Sequence, residues 1–168
     1  MRLSTSLLAT LAFARIALAC ESDTPALFSC EASKGRKFIE LCASSPMAAD
    51  GWLQYRFGSL DENGSEKAVE FEYPANRSGS LRHFYGATYT HQGTYTQSVR
   101  FATPTFSYSV FTQARGDRDL GAGVEIRNLA TGKTTVISCS ERPRFYIFEL
   151  KGFLACDAET PVGNRCIK

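Results

Sequence analysis

Hydrophobic and polar residues alternate along most of this chain. The segment "AVEFEYP" places Val69, Phe71 and Tyr73 on one side of an extended backbone and Glu70 and Glu72 on the other. The segments "KFIELC" and "WLQYRFG" show the same pattern. A period of two is typical of a β-strand with one face in a core and one face in water. The pattern therefore predicts strands over most of the chain.

Further strands are predicted in a series of runs that are rich in threonine, valine, tyrosine and phenylalanine. They are "HFYGATYTH", "TYTQSVRFAT", "FSYSVFTQ", "AGVEIRN", "TTVISC" and "RFYIFEL". Turn sequences such as "DENGSE", "THQGT" and "NLATGK" separate them, with Gly, Asn or Asp where hairpins need a left-handed backbone. Roughly eight to ten short strands without βαβ alternation predict one all-β domain, a single antiparallel barrel or sandwich.

The first 19 residues have the features of an export signal. Arg2 gives a positive start, residues 7–18 are largely apolar, and Ala17-Leu18-Ala19 forms a small-x-small cleavage site. We predict a signal peptide at residues 1–19 and a single all-β domain at residues 20–168, exported to the periplasm or secreted. A lipoprotein with a lipid on Cys20 is the second interpretation.

Removal of the leader changes the charge of the protein. It takes Arg2 and Arg15 and no acid, so the 19 basic residues become 17 and equal the 17 acidic ones. Nucleic acids and anionic membranes select proteins with a basic excess. We therefore expect neither partner, and no later segment reaches the roughly twenty apolar residues of a membrane span.

All six cysteines follow the leader, and an even number in an exported chain favours disulfides. Six cysteines allow fifteen pairings. We favour Cys30–Cys42 across the first hairpin, Cys139–Cys156 across the last one, and Cys20–Cys166 between the termini. No C-x-x-C occurs and there are only two histidines, so neither a metal nor another cofactor is expected.

Two loops carry the candidate binding residues, because polar loops on a cross-linked sheet are common binding elements. Both are rich in arginine, which pairs well with carboxylates. The candidates in "YPANRSGSLRHF" and "QARGDRDLGAG" are Arg77, Ser78, Arg82, His83, Arg115, Asp117 and Arg118. We expect these loops to contact a protein partner.

Two other functions fit parts of the sequence. A small secreted hydrolase, similar to a ribonuclease or a glycosidase, would use His83, His91 and Glu72 for acid–base chemistry. A secreted effector or carbohydrate-binding module of a eukaryotic microbe would be consistent with the glycosylation sequons at Asn63 and Asn76. No G-x-S-x-G motif or free catalytic thiol is indicated, so binding is expected rather than catalysis.

A family resemblance adds a possible partner. The leader, the early "LFSC" strand and the "GRKFIELC" return resemble small exported bacterial β-proteins, most of all the periplasmic inhibitors of c-type lysozyme. Those inhibitors place a serine of an S-G-x-x-Y motif and a basic residue of a T-K-G-D-like motif in the enzyme cleft. Here Ser78-Gly79 is followed by Arg82 in place of the tyrosine, and "TQARGD" has Arg115 in place of the lysine.

The resemblance implies an exported inhibitor or immunity protein that blocks a lysozyme-like or other cell-wall hydrolase. An arginine on a rigid loop would pair with the catalytic carboxylates of such an enzyme.

Overall fold

The computed structural model describes Cys20 and residues 26–168; the predicted signal peptide at residues 1–19 lies outside this part of the chain. Ten strands form within the described residues, and two short 3₁₀ helices cover Ser80–His83 and Ile147–Leu150. The strands are β1 (Ala26–Glu31), β2 (Lys37–Ala43), β3 (Leu53–Leu60), β4 (Glu66–Tyr73), β5 (Tyr85–His91), β6 (Thr94–Ala102), β7 (Phe106–Arg115), β8 (Arg118–Asn128), β9 (Thr134–Ser138) and β10 (Ala155–Cys156). The prediction of an all-β fold is confirmed.

The strands form two sheets that pack face to face. One sheet has four strands in the order β1-β2-β3-β4, and the other has six in the order β10-β5-β6-β7-β8-β9. Neighbouring strands are antiparallel except β10, which pairs in parallel with β5. Neither sheet closes on itself, so the fold is a sandwich and not a barrel.

An aromatic cluster occupies the space between the sheets. Phe101 of β6 is fully buried, and its ring lies 5.0 Å from that of Tyr55 on β3 and 4.7 Å from that of Tyr73 on β4. Tyr108 of β7 stacks on the same ring at 4.8 Å. Burial raises the pKa of Tyr55 well above its usual value. The alternation in "WLQYRFG" predicts Leu53, Tyr55 and Phe57 on one side of β3, and this side faces the core.

The prediction that Val69 shares the buried face with Phe71 and Tyr73 is wrong. Phe57 on β3 pairs with Phe71, but the next residue, Gly58, pairs with Val69. Glu70 is thus an extra residue on β4, which is a β-bulge. Because the bulge shifts the alternation by one position, Val69 points outward and is 40% exposed.

The predicted strand in "RFYIFEL" is also wrong. This segment ends in the 3₁₀ helix Ile147–Leu150, and only its start approaches β1, through a bridge between Phe28 and Phe145. Ile147 and Leu150 are buried whereas Phe148 is 54% exposed. A spacing of three between inward side chains suits a 3₁₀ helix, where positions i and i+3 share a face.

All six cysteines are paired, as predicted, but in none of the three predicted combinations. The disulfides are Cys20–Cys42, Cys30–Cys139 and Cys156–Cys166.

Strand register explains why Cys30 and Cys42 do not join. Cys30 lies opposite Ile39 and Cys42 lies opposite Ala26, so the two cysteines sit at different levels of the β1–β2 hairpin. Cys30 instead reaches Cys139 at the end of β9, beside a bridge between Ala32 and Cys139. This disulfide links the two sheets.

The other two predicted disulfides fail for a related reason. Cys156 ends β10, whereas Cys139 directly follows β9. These two strands lie at opposite edges of the six-stranded sheet, so they do not form a hairpin. A bridge between Asp157 and Arg165 returns the chain so that Cys166 reaches Cys156. Cys20 covers the outer side of β2 at Cys42 instead of the C-terminal segment.

The disulfide at Cys20 also bears on the lipoprotein alternative. A lipid on this residue would need the same Sγ that bonds to Cys42. The bridged form is therefore incompatible with a lipid thioether. In the part of the chain that the structure describes, no helix combines the length and the apolar character of a membrane span.

Candidate functional site

The outer face of the six-stranded sheet forms a groove. On β6, Val99 and Phe101 point into the core, so their neighbours Ser98 and Arg100 point to the other face. The same alternation brings Tyr89 of β5 and Gln113 of β7 to this face. Strand pairing thereby gathers polar side chains from five adjacent strands on one surface.

Small residues form most of the middle row of the groove, and Phe111 is the one large side chain in that row. Ser98 pairs with Ala87 on β5 and Phe111 on β7, and Gly123 and Ser138 continue the row on β8 and β9. A Cβ atom on Gly123 would lie 2.2 Å from the carbonyl oxygen of Ile137, so only glycine allows β9 to approach β8 here. Larger residues stand on both sides of this row.

Two adjoining hollows of about 320 and 530 Å³ make up the main groove, and a third of about 210 Å³ extends it. The first two hollows have five lining residues in common: Tyr89, Ser98, Ser109, Gln113 and Glu125. The third hollow shares Tyr89 and Gln113 with both and reaches the β5–β6 and β7–β8 turns. The depression is therefore elongated along the strands.

Ion pairs build the wall at one end of the groove. The Arg100 guanidinium lies 2.9 Å from Asp157 and 3.2 Å from Glu159, and Arg127 lies 3.1 Å from Glu159. Arg100 also covers the ring of Tyr85 at 4.7 Å. These charges satisfy one another and hold the wall rigid, which leaves few of them free for a charged ligand.

Tyr89 supplies a neutral hydroxyl to the groove. Burial is the main cause that raises the pKa of its phenol, and the carboxylates of Asp157 and Glu125 add to it. A hydrogen bond with Thr96 acts in the opposite direction. The phenol therefore keeps its proton at neutral pH and can both donate and accept hydrogen bonds.

The first candidate loop is tied to the protein by its arginine. Arg77 Nε donates a 2.9 Å hydrogen bond to Gln54 Oε1, and the guanidinium stacks on Trp52 at 4.2 Å. Arg82 and Ser78 are exposed, and His83 packs edge-on against Tyr73 at 6.0 Å. This loop precedes β5.

The second candidate loop lies at the other end of the same sheet. Arg115 donates a 3.1 Å hydrogen bond to Thr94, which begins β6 after the β5–β6 turn. Asp117 and Arg118 are exposed at the β7–β8 turn. Since β5 runs the distance between the two loops, about 20 Å for seven residues, they do not form one surface.

The residues of the predicted hydrolase are not brought together either. Glu72 faces the outer side of the four-stranded sheet, 3.8 Å from Arg56, whereas its neighbour Tyr73 contacts His83 on the inner side. His91 ends β5, at the opposite end of that strand from His83. The structure shows no acid–base set that includes all three residues.

One cluster of potential metal ligands occurs within Cys20 and residues 26–168. It contains Cys20, Glu40 and Cys42, whose ligand atoms lie within 4.8 Å of one another. Both sulfur atoms belong to one disulfide and offer no thiolate. The cluster therefore does not have the donors of a thiolate metal site in this form.

The groove was not predicted from the sequence. One row of its polar residues is visible in the segment "TYTQSVRFAT", where Thr96, Ser98 and Arg100 alternate with core residues. Only the strand order joins this polar row to Gln113, Glu125 and the distant Asp157. No protein-family model matches the chain, and neither curated proteins nor solved structures match it significantly.

Proposed function

We propose that this chain is an exported binding protein whose outer groove on the six-stranded sheet holds an uncharged, hydroxyl-rich ligand, such as a segment of a glycan. The observation that carries the proposal is the composition of the groove. Its floor and sides offer hydroxyl and amide groups from Tyr89, Ser109 and Gln113, while the arginines of its wall are already paired with carboxylates.

Charge favours a neutral ligand over an ionic one. Two arginines and three carboxylates line the two main hollows, Arg100 and Arg127 with Glu125, Asp157 and Glu159. An anion would meet this small acidic excess, and a cation would compete with the arginines already in place. A polyol would instead exchange hydrogen bonds with neutral groups, as in other pockets where a few polar groups fix orientation.

The test is direct binding of neutral oligosaccharides, measured by calorimetry with the purified protein. We expect Gln113→Ala to weaken binding about 5-fold to 10-fold, the effect of one or two lost hydrogen bonds. Ser109→Phe should abolish binding because the ring would fill the shared part of both hollows. Arg82→Ala, on an exposed residue outside the groove, is the control. Equal affinities for all four proteins would refute the groove as the site.

Inhibition of a peptidoglycan-degrading enzyme is a second proposal, favoured by the tip of the β7–β8 hairpin. This tip presents Arg118 and Asp117 to solvent, beside Arg115. A guanidinium at such a tip could pair with carboxylates in an enzyme cleft. The loop with Ser78 lies at the other end of the sheet and would not enter the same cleft.

Lysozyme activity measured with increasing amounts of this protein tests the second proposal. The wild type should inhibit, and the double variant Arg115→Ala/Arg118→Ala should lose at least about 10-fold in potency, as expected for a lost charge-assisted pair. Gln113→Ala should inhibit normally, which separates the hairpin tip from the two main hollows, although Arg115 also lines the third hollow. Absence of inhibition by the wild type would exclude this enzyme as the partner.

A further inference from the structure

Glu40 is a buried carboxylate with an incomplete set of partners. It lies on β2, on the outer side of the four-stranded sheet, and is fully buried. Its Oε2 accepts a 2.8 Å hydrogen bond from Arg56 Nη1. Its Oε1 is buried and has no hydrogen-bond partner of good geometry among the described residues. A buried polar atom in this state carries a cost in free energy.

Among the described residues, the charges around Glu40 include more carboxylates than cations. Arg56 lies 2.8 Å from Glu40, 2.8 Å from Glu66 and 3.8 Å from Glu72, so one guanidinium faces three carboxylates. Burial raises the pKa of Glu40, and the attraction of Arg56 only partly opposes it. A hydrogen bond with the hydroxyl of Ser29, across the strand pair, also lowers the pKa of Glu40 but supplies no charge. One further positive group would balance the cluster better.

Cys20 is held next to this carboxylate. Its Sγ lies 4.0 Å from Glu40 Oε2, and the residue is 3% exposed. The disulfide to Cys42 fixes Cys20 there, and a disulfide sulfur carries no hydrogen to donate. The backbone nitrogen of a cysteine lies about 3–4 Å from its own Sγ by covalent geometry. The nitrogen of Cys20 therefore lies within about 8 Å of Glu40 Oε2.

We propose that cleavage between Ala19 and Cys20 creates the missing partner: the new α-ammonium of Cys20 donates a hydrogen bond to Glu40 Oε1 and completes the buried cluster. Water adds across the peptide bond, so Ala19 keeps the new carboxylate and the Cys20 nitrogen leaves as an amine that takes up a proton. Before cleavage the same nitrogen is an uncharged amide. The inference is independent of the groove.

This inference gives the cleavage position a structural role. An N-terminus one residue earlier would displace the ammonium by about 3.8 Å along the chain, too far to keep the same hydrogen bond. A charge-assisted bond in a buried site is among the stronger polar interactions in proteins. Processing would thus be coupled to the stability of the four-stranded sheet.

The test begins with the complete chain expressed in a host that exports it. Mass spectrometry of the product should show Cys20 as the first residue. The native protein is then treated briefly at neutral pH with an amine-selective acylating reagent, and the N-terminal peptide is quantified. We expect the α-amine of the wild type to react about 10-fold more slowly than that of Glu40→Gln, as for a group held in a charge-assisted bond.

Two further variants complete the design. Glu70→Gln removes an exposed carboxylate of the same sheet that pairs with Lys37, and it should react like the wild type. A glycine inserted between Ala19 and Cys20 keeps Glu40 but moves the amine, and it should react as fast as Glu40→Gln. If Glu40→Gln does not accumulate as folded protein, the comparison between the wild type and the insertion variant tests the proposal alone. The proposal would be overturned if the exported protein began at a residue other than Cys20. It would also be overturned if the α-amine were acylated at the same rate with and without the inserted glycine.

Discussion

At the scale of single residues, Phe101 connects the two sheets. Its ring contacts those of Tyr55 and Tyr73 from the four-stranded sheet and that of Tyr108 from its own sheet. Several stacked contacts converge on one fully buried side chain. Aromatic pairs of this kind add to the free energy that burial alone provides.

We predict that Phe101→Ala lowers the free energy of unfolding by about 3–5 kcal/mol, because it leaves a cavity between the sheets. Tyr95→Ala is the matched control, since Tyr95 lies on the same strand but is 40% exposed. The control should change stability by less than about 0.5 kcal/mol, as surface substitutions usually do. Urea titration followed by fluorescence measures both. Similar losses in the two variants would contradict the role given to Phe101.

Residue roles that depend on distant contacts could not be predicted from the sequence. Arg77 was a candidate for binding a partner, yet its guanidinium stacks on Trp52 and bonds to Gln54, more than twenty residues away along the chain. Alternation identified the inward positions of β3 without any such information. A local pattern shows which way a side chain points but not which distant group it meets.

At the scale of elements, the period of two predicted most strands because apolar side chains alternate toward the core between the sheets, even on β2 and β3, where outward residues such as Glu40 and Gln54 are buried as well. The prediction failed where the backbone departs from regular pairing. The bulge at Glu70 reversed the side of Val69, and the 3₁₀ helix Ile147–Leu150 replaced a strand in an aromatic run. Neither departure changes composition, so a propensity argument does not detect it.

The groove also belongs to this scale. Each strand contributes only a few polar side chains, at most three from β6 and from β7 in the two main hollows, and the surface exists because β5, β6, β7, β8 and β9 lie side by side. The sequence predicted antiparallel strands but not the division into sheets of four and six. The candidate binding residues were therefore sought in loops, whereas the two main hollows lie on a sheet face. Of the predicted residues, Arg115 and His91 line the third hollow, at the end of the sheet.

At the scale of the whole molecule, the disulfide Cys30–Cys139 joins β1 of one sheet to the end of β9 in the other. It closes a segment with a sequence separation of 109 residues, whereas Cys156–Cys166 closes one of only 10. In the chain-entropy model, a bridge stabilises the fold more when it closes a longer loop.

We predict that Cys30→Ser/Cys139→Ser costs about 4–5 kcal/mol of unfolding free energy, and Cys156→Ser/Cys166→Ser about 2–3 kcal/mol. Guanidinium titration of both double variants measures the difference. The variant without Cys156–Cys166 is the control, because it also loses one disulfide but opens a much shorter loop. A larger loss in the C-terminal variant would show that local packing, and not loop length, determines these contributions.

The order of the cysteines has a consequence for biogenesis. Cys30 lies between Cys20 and Cys42 in the sequence, yet its partner is Cys139. A chain that is threaded through a membrane from its N-terminus would expose Cys20 and Cys30 to oxidants first, and these two are not native partners. Sequential oxidation would trap a wrong cross-link, so efficient production of this protein should depend on a catalyst of thiol–disulfide exchange.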